Sequence, residues 1–245
     1  MGQLDSEVAL VTGSSRSIGK AIAIGLAKEG ARLVLAARTL DGLNATADKV
    51  REAGSEALVI PTDVRDEGQI EALFRQTIAH YGRLDILINN AGIFGMSPID
   101  ELTTEIWDDI IATNLRAPFL CARAAFRIMK KQGGGRIINI GSISASRVRP
   151  ANAPYSSAKF GLVGLTQTIA LEGREYNINC GILHPGLVKR DEGPPDGPQL
   201  PDTDIPVMEP EEIAAAAVFM ACQPPHVNVL EIVQLPKDQP YLGRG

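Results

Sequence analysis

At 245 residues, 44% of them hydrophobic, the chain is long enough for one α/β domain with a large core. Its 24 basic against 29 acidic residues leave a net charge of −5, which argues against a nucleic-acid binder, whose footprint is a basic excess. Cys121, Cys180 and Cys222 are odd in number and far apart, which argues against a disulfide framework, and with His80, His184 and His226 they form no metal-binding cluster.

No apolar run approaches the ~20 residues of a membrane span. The N-terminal stretch lacks the basic start and apolar core of a signal peptide, so the expectation is a cytoplasmic enzyme without a membrane partner.

Residues 7–12 form a Val-rich apolar run, followed by a Gly-containing turn and an apolar helix. Strands are expected at 32–36, 57–60, 84–88, 136–140 and 178–183, with a seventh at 231–235. Helices are expected at 41–53, 66–81, 103–131 and 155–176, the third capped by Thr103 or Thr104. Strands alternating with helices predict a doubly wound parallel sheet of the Rossmann type, with helices on both faces, over 1–245 as a single domain. Ligands of such sheets bind beyond the carboxyl ends of the strands.

The residues just past each strand are therefore the candidates. After the first come Gly13, Ser14, Ser15, Arg16, Ser17, Ile18 and Gly19. A glycine turn that opens a helix presents N–H groups to a phosphate. The spacing is not that of a Walker A loop. After the second strand comes Arg38, where an NAD site would carry an acid for the ribose hydroxyls. Arginine suits the 2′-phosphate of NADP, and Arg16 is a second candidate contact, so NADP(H) is preferred over NAD(H). Asp63 and Val64 follow the third strand, and Asn89, Asn90, Ala91 and Gly92 the fourth. Each of these also has an ordinary reading as turn or solvated surface.

Ser142 follows the fifth strand, and Tyr155 and Lys159 open the next helix. Residues four apart share a helix face. Free tyrosine titrates near ~10, and a neighbouring cation favours its phenolate. Such a pair can move a proton at a substrate oxygen, and Ser142 can hold that oxygen. A Tyr and a Lys at this spacing also occur on solvated helix faces; the company they keep decides between the readings.

Together these motifs resemble the short-chain dehydrogenase/reductase family over roughly residues 5–235. Thr12, Gly13, Ser17 and Gly19 match its TGxxxGxG turn with Ser for the middle Gly; residues 89–92 match its NNAG. Asn114, Ser142, the Tyr155–Lys159 pair and Pro185-Gly186 complete the series in order. The resemblance implies Tyr155 as acid/base, Lys159 on the nicotinamide ribose, Ser142 on the substrate oxygen, and Asn114 holding a water in a proton relay. It implies that Asp63 and Val64 contact adenine, that Asn90, Ala91 and Gly92 line the adjoining ribose, and that Val188 meets the carboxamide. It also implies a small-molecule carbonyl/alcohol substrate and assembly as a homodimer or homotetramer.

Three positions depart from the pattern. Ser17 would be strained at positive φ and suited to a helix start or cap; the latter is expected. Arg190 replaces a Thr of the carboxamide site, with Lys189 beside it. The end of the chain lacks the family's DGG and is expected to pack at a subunit interface or a neighbour's site. Residues 190–210, with six prolines, are expected to cover the substrate. Their acids, Asp191, Glu192, Asp196, Asp202, Asp204 and Glu209, count against an acidic carrier protein as partner, although the glycine turn resembles the 3-oxoacyl-carrier-protein reductase subgroup. A non-catalytic dinucleotide sensor or scaffold is the alternative of another class.

Overall fold

The computed structural model describes residues 2–189 and 206–241. The expectations placed on 190–205, including Arg190 and most of the substrate-covering loop, lie outside the described residues. Seven strands, β1 (Val8–Thr12), β2 (Arg32–Ala37), β3 (Ala57–Pro61), β4 (Ile86–Asn89), β5 (Gly135–Ile140), β6 (Ile178–Pro185) and β7 (Glu231–Gln234), form one sheet. Their order is β3-β2-β1-β4-β5-β6-β7, and every pairing is parallel. The order reverses at β1 and β4, where the chain first leaves the sheet centre in one direction and then in the other; this is where a crevice opens at the strand ends.

The helices are α1 (Ser17–Lys28), α2 (Leu40–Glu52), α3 (Glu67–Tyr81), α4 (Thr104–Ile111), α5 (Ala117–Gln132), α6 (Ala153–Gly173) and α7 (Pro210–Ala221). Parallel strands covered on both faces need apolar side chains at every position. Along β1, Ala9 and Val11 join the core beneath α1, α2 and α7, while Val8 and Leu10 join the core beneath α3 and α5. Two cores thus share one sheet.

Local chemistry sets the helix ends. Asp66 caps α3 by accepting from Gln69 N, and Gly82 closes it at φ 75°. Thr103 caps α4 by accepting from Ile106 N, as expected. The single helix expected over 103–131 is not formed. A π-helical turn, Ala112–Arg116, separates α4 from α5. Pro118 has no N–H, so the α-type bond that would close on the Asn114 carbonyl cannot form. Pi-turns inside helices often mark functional sites. The helix expected over 155–176 begins two residues earlier, at Ala153, and ends in a 3₁₀ turn, Arg174–Tyr176.

Helix α7 is an addition to the expected elements. Pro210 occupies its first turn, and Glu209 and Glu212 form a reciprocal capping box. Its Ala-rich body shows little amphipathic period because the face opposite the buried Ile213, Ala214, Ala217 and Met220 carries the exposed Ala215 and Phe219. It packs closely on α1, where a Cβ on Gly25 would stand 2.9 Å from Val218 Cγ2. Arg136, buried at the start of β5, donates to the carbonyls of Gln223, Pro224 and Val227 and so anchors the chain leaving α7.

Candidate active site

The turn between β1 and α1 is held from below. Thr12 Oγ1 accepts from the N–H groups of Asn90 and Ala91. Asn90 Nδ2 donates to the carbonyls of Thr12 and Gly13. Gly13 lies at φ 65°, and a Cβ on Gly19 would stand 2.3 Å from the Gly13 oxygen, so both glycines are required by close approach. Arg16 is extended and makes no side-chain cap at the start of α1.

Ser17 has φ 47°. This corrects the expectation of a helix-compatible Ser17. The chain turns from β1 into α1 within four residues, and the left-handed conformation that closes the turn falls on Ser17, where the family's pattern carries glycine.

Several features of the turn fit a dinucleotide. Ser14 is fully buried, and its Oγ has no hydrogen-bond partner among the described residues. Ser15 packs on Gly42 of α2. Arg16 and Arg38 are exposed, and among the described residues neither forms an ion pair. Asp63 is committed elsewhere: Arg65 binds both its oxygens and holds its carboxyl below the usual carboxylate range, chiefly through these side-chain hydrogen bonds. Val64 is buried in the core beside it.

Past β4, Gly92 sits where a Cβ would stand 2.9 Å from Asn114 Oδ1. Asn114 is fully buried, accepts from Ile93 N and donates to Ile93 O. Both ends of its side-chain amide are therefore engaged by Ile93.

Tyr155 and Lys159 lie on one face of α6, as their spacing predicts. Lys159 Nζ is 5.5 Å from the Tyr155 ring centroid, and Phe94 meets that ring edge-on with centroids 5.1 Å apart. Lys159 is 5% exposed and donates to the Ile140 carbonyl at 2.8 Å. Burial pushes its ammonium down to about 8. Ser142 Oγ accepts from Ser144 N, and its main chain touches His184.

Beyond β6, Leu187 and Lys189 pair with Met208 through a parallel bridge centred on Val188. Among the described residues that bridge leaves the N–H and C=O of Val188 unused. Lys189 forms an exposed ion pair with Glu209. Gln239, 7% exposed, accepts from Leu187 N at 2.8 Å, and Tyr241 bonds Ser146 at 2.6 Å. The tail thus packs on its own chain's site loops.

A family model for short chain dehydrogenases matches residues 7–194. The chain belongs to the short-chain dehydrogenase family. It is 42% identical over 182 residues to the uncharacterized oxidoreductase YxjF of Bacillus subtilis (strain 168), covering 74% of this chain and 71% of that one. It is 34% identical to a 3-oxoacyl-[acyl-carrier-protein] reductase of Synechocystis, covering 91% of this chain and 92% of that protein. A metagenomic short-chain oxidoreductase solved in complex with NADP superposes with a TM-score of 0.85 at 32% identity, covering 97% of this chain and all of that one (100%).

This short-chain dehydrogenase carries three site-forming residues that its motifs did not single out. Phe94 packs on Tyr155, His184 lies against Ser142, and Gln239 holds Leu187. His184 adjoins the Pro185-Gly186 motif, which is the signal that could have found it. Gln239 carries no such signal, because its partner is fifty-two positions away. Among the described residues no three His, Cys, Asp or Glu side chains group as a metal site, and no helix is long and apolar enough to cross a membrane.

Proposed function

We propose that this oxidoreductase is a single-domain, NADP(H)-dependent enzyme acting on a small carbonyl/alcohol pair, with Tyr155 as its acid/base. The observation that carries the reading is the buried Lys159 ammonium beside the Tyr155 ring. A buried cation favours the ionised form of a phenol next to it. In the reducing direction Tyr155 gives its proton to the substrate oxygen; in the oxidising direction it takes the proton back. Ser142 Oγ holds that oxygen. Such acid–base help contributes about 10²–10⁴ in rate.

Gly13, Ser15, Arg16, Ser17 and Ile18 would hold the cofactor's phosphates, with Arg38 on the 2′-phosphate. Asp63, Val64, Asn90, Ala91 and Gly92 would line the adenosine end, and Val188 would meet the carboxamide through its main chain. When bound, the nicotinamide supplies or accepts the hydride. Lys159 would exchange Ile140 O for the ribose hydroxyls. A relay water would fall to the Asn114 carbonyl, since the Asn114 amide is already paired.

The Synechocystis relative favours a second reading, reduction of a carrier-bound 3-oxoacyl group. The acids at 191–209 oppose it by repelling an acidic carrier. Exposed Phe119 and Phe160 on α5 and α6 support a homodimer or homotetramer, which light scattering would measure.

Titration with NADPH and NADH, followed by turnover on a carbonyl panel, tests the proposal. NADPH is expected to bind more tightly; Arg38→Asp is expected to remove that preference, and Tyr155→Phe to bind NADPH but reduce nothing. Wild-type turnover in Tyr155→Phe would overturn the assignment of Tyr155. Binding without turnover by the wild type across both free and carrier-bound carbonyls would favour a dinucleotide sensor.

A further inference from the structure

His184 ends β6 immediately before Pro185 and is 3% exposed. Its ring fills the space a side chain at position 141 would take: a Cβ on Gly141 would lie 2.5 Å from Nδ1. Nδ1 is 3.1 Å from Ser142 N and 2.8 Å from Ser142 O. One nitrogen cannot serve both groups. With a proton it donates to the carbonyl; without one it accepts from the N–H.

The bonding around Ser142 decides between them. Ser142 O already accepts from Ala145 N at 2.9 Å. Among the described residues, Ser142 N has no acceptor other than Nδ1. Pairing the Ser142 N–H therefore requires a bare Nδ1, which in the neutral ring puts the proton on Nε2. The far side of the ring agrees. Nε2 faces Glu231 Oε1 at 3.4 Å, an ion-pair distance that falls short of hydrogen-bond geometry, so the contact is electrostatic. A proton on Nε2 is attracted by that carboxylate; a lone pair there would be repelled.

We propose that His184, held in its Nε2–H tautomer by Glu231, is a positioning residue for Ser142. The proposal rests on the substrate-binding role assigned to Ser142 above. By accepting from Ser142 N–H, the imidazole sets the main chain entering the turn Ile143–Ala145, and with it the direction of Ser142 Oγ.

The groups facing the ring are Ser142 from the β5 loop, Glu231 from β7 and Lys159 from α6. Burial lowers the imidazole's affinity for a second proton, with a smaller contribution from Lys159, and outweighs Ser142 and Glu231, which raise it. A second proton, on Nδ1, would set a donor against Ser142 N–H and turn the ring's bond to Ser142 O instead. Acceptance from Ser142 N–H therefore belongs to the neutral imidazole, and acidification exchanges it for a bond to the carbonyl.

The test compares His184→Leu, His184→Asn and Glu231→Gln. Asparagine keeps a hydrogen-bonding atom near the Nδ1 position; leucine keeps only bulk. His184→Leu is expected to lower kcat by about 10²-fold, the scale of a small misplacement of a reacting group, with NADPH affinity unchanged. His184→Asn is expected to recover most of that loss and to remove the acid limb due to His184 from the kcat pH profile. Imidazole ¹⁵N shifts are expected to show the Nε2–H tautomer in the wild type and a shift towards Nδ1–H in Glu231→Gln, with a lower kcat. Wild-type kcat in His184→Leu, no recovery in His184→Asn, or an Nδ1–H wild-type tautomer would each overturn the proposal. Should His184→Leu fail to fold, Glu231→Gln decides: a shifted tautomer with unchanged kcat overturns it. The ¹⁵N readout needs no turnover, so failure of the enzymatic reading is seen separately, as an inactive wild type.

Discussion

Asn90 Nδ2 lies 3.1 Å from the Gly13 oxygen and would stand 2.4 Å from a Cβ on Gly19. The end of β4 therefore holds the turn after β1 by its main chain, in space that only two glycines leave open. Asn90→Ala removes the bonds to Thr12 O and Gly13 O. At about 1 kcal/mol for each hydrogen bond, denaturant unfolding should show a loss of about 2 kcal/mol. NADPH affinity should fall with it, measured by titration.

Ser17 at φ 47° bears a cost that glycine does not. Left-handed backbone costs an L-residue about 1–2 kcal/mol. Ser17→Gly should therefore stabilise the protein by about 1 kcal/mol, a rise of roughly 2–4 °C in Tm for a chain of this size. Calorimetry of the cofactor-free protein checks it; an unchanged or lower Tm would show that the turn absorbs Ser17 without strain.

Lys159 opposes folding while serving the site. Its ammonium titrates near about 8 in the fold against 10.5 for the free group. Between these values the unfolded chain binds more protons than the folded one, so stability rises with pH across that window. The cost is fully present below about 8 and is relieved as pH approaches 10.5. Lys159→Met should unfold at a higher denaturant concentration than wild type at pH 7, with the difference narrowing above pH 9. Its turnover with NADPH should fall by at least about 10²-fold.

Gln239 bonds the loop expected to carry the carboxamide contact. Gln239→Ala leaves Leu187 N–H without its acceptor. KM for NADPH should rise several-fold while kcat for the bound enzyme changes little, which steady-state kinetics would separate. An unchanged KM would place the tail's role elsewhere.

Much of the site is legible in the sequence because its motifs are local. Tyr155 and Lys159 share a face through helical spacing alone, and the glycine turn announces itself in consecutive residues. The break at 112–116 escapes the apolar periodicity, although Pro118 is its visible cause. The Ala-rich α7 escapes it too, because its exposed face carries Ala215 and Phe219 where periodicity needs polar residues. Ser17 defies its own preference because its φ is set by the path from β1 to α1.

The sequence by itself determined the alternation of strands and helices, the family, and which residues stand at the strand ends. These follow from periods of two and 3.6 residues and from short motifs, all of which act within a few positions of the chain. Only the tertiary structure decided that Lys159 is buried against Ile140, that His184 meets Ser142, and that Gln239 reaches Leu187. Those contacts depend on the register of β5, β6 and β7 in one sheet, which joins residues tens of positions apart and leaves no periodic trace in the chain.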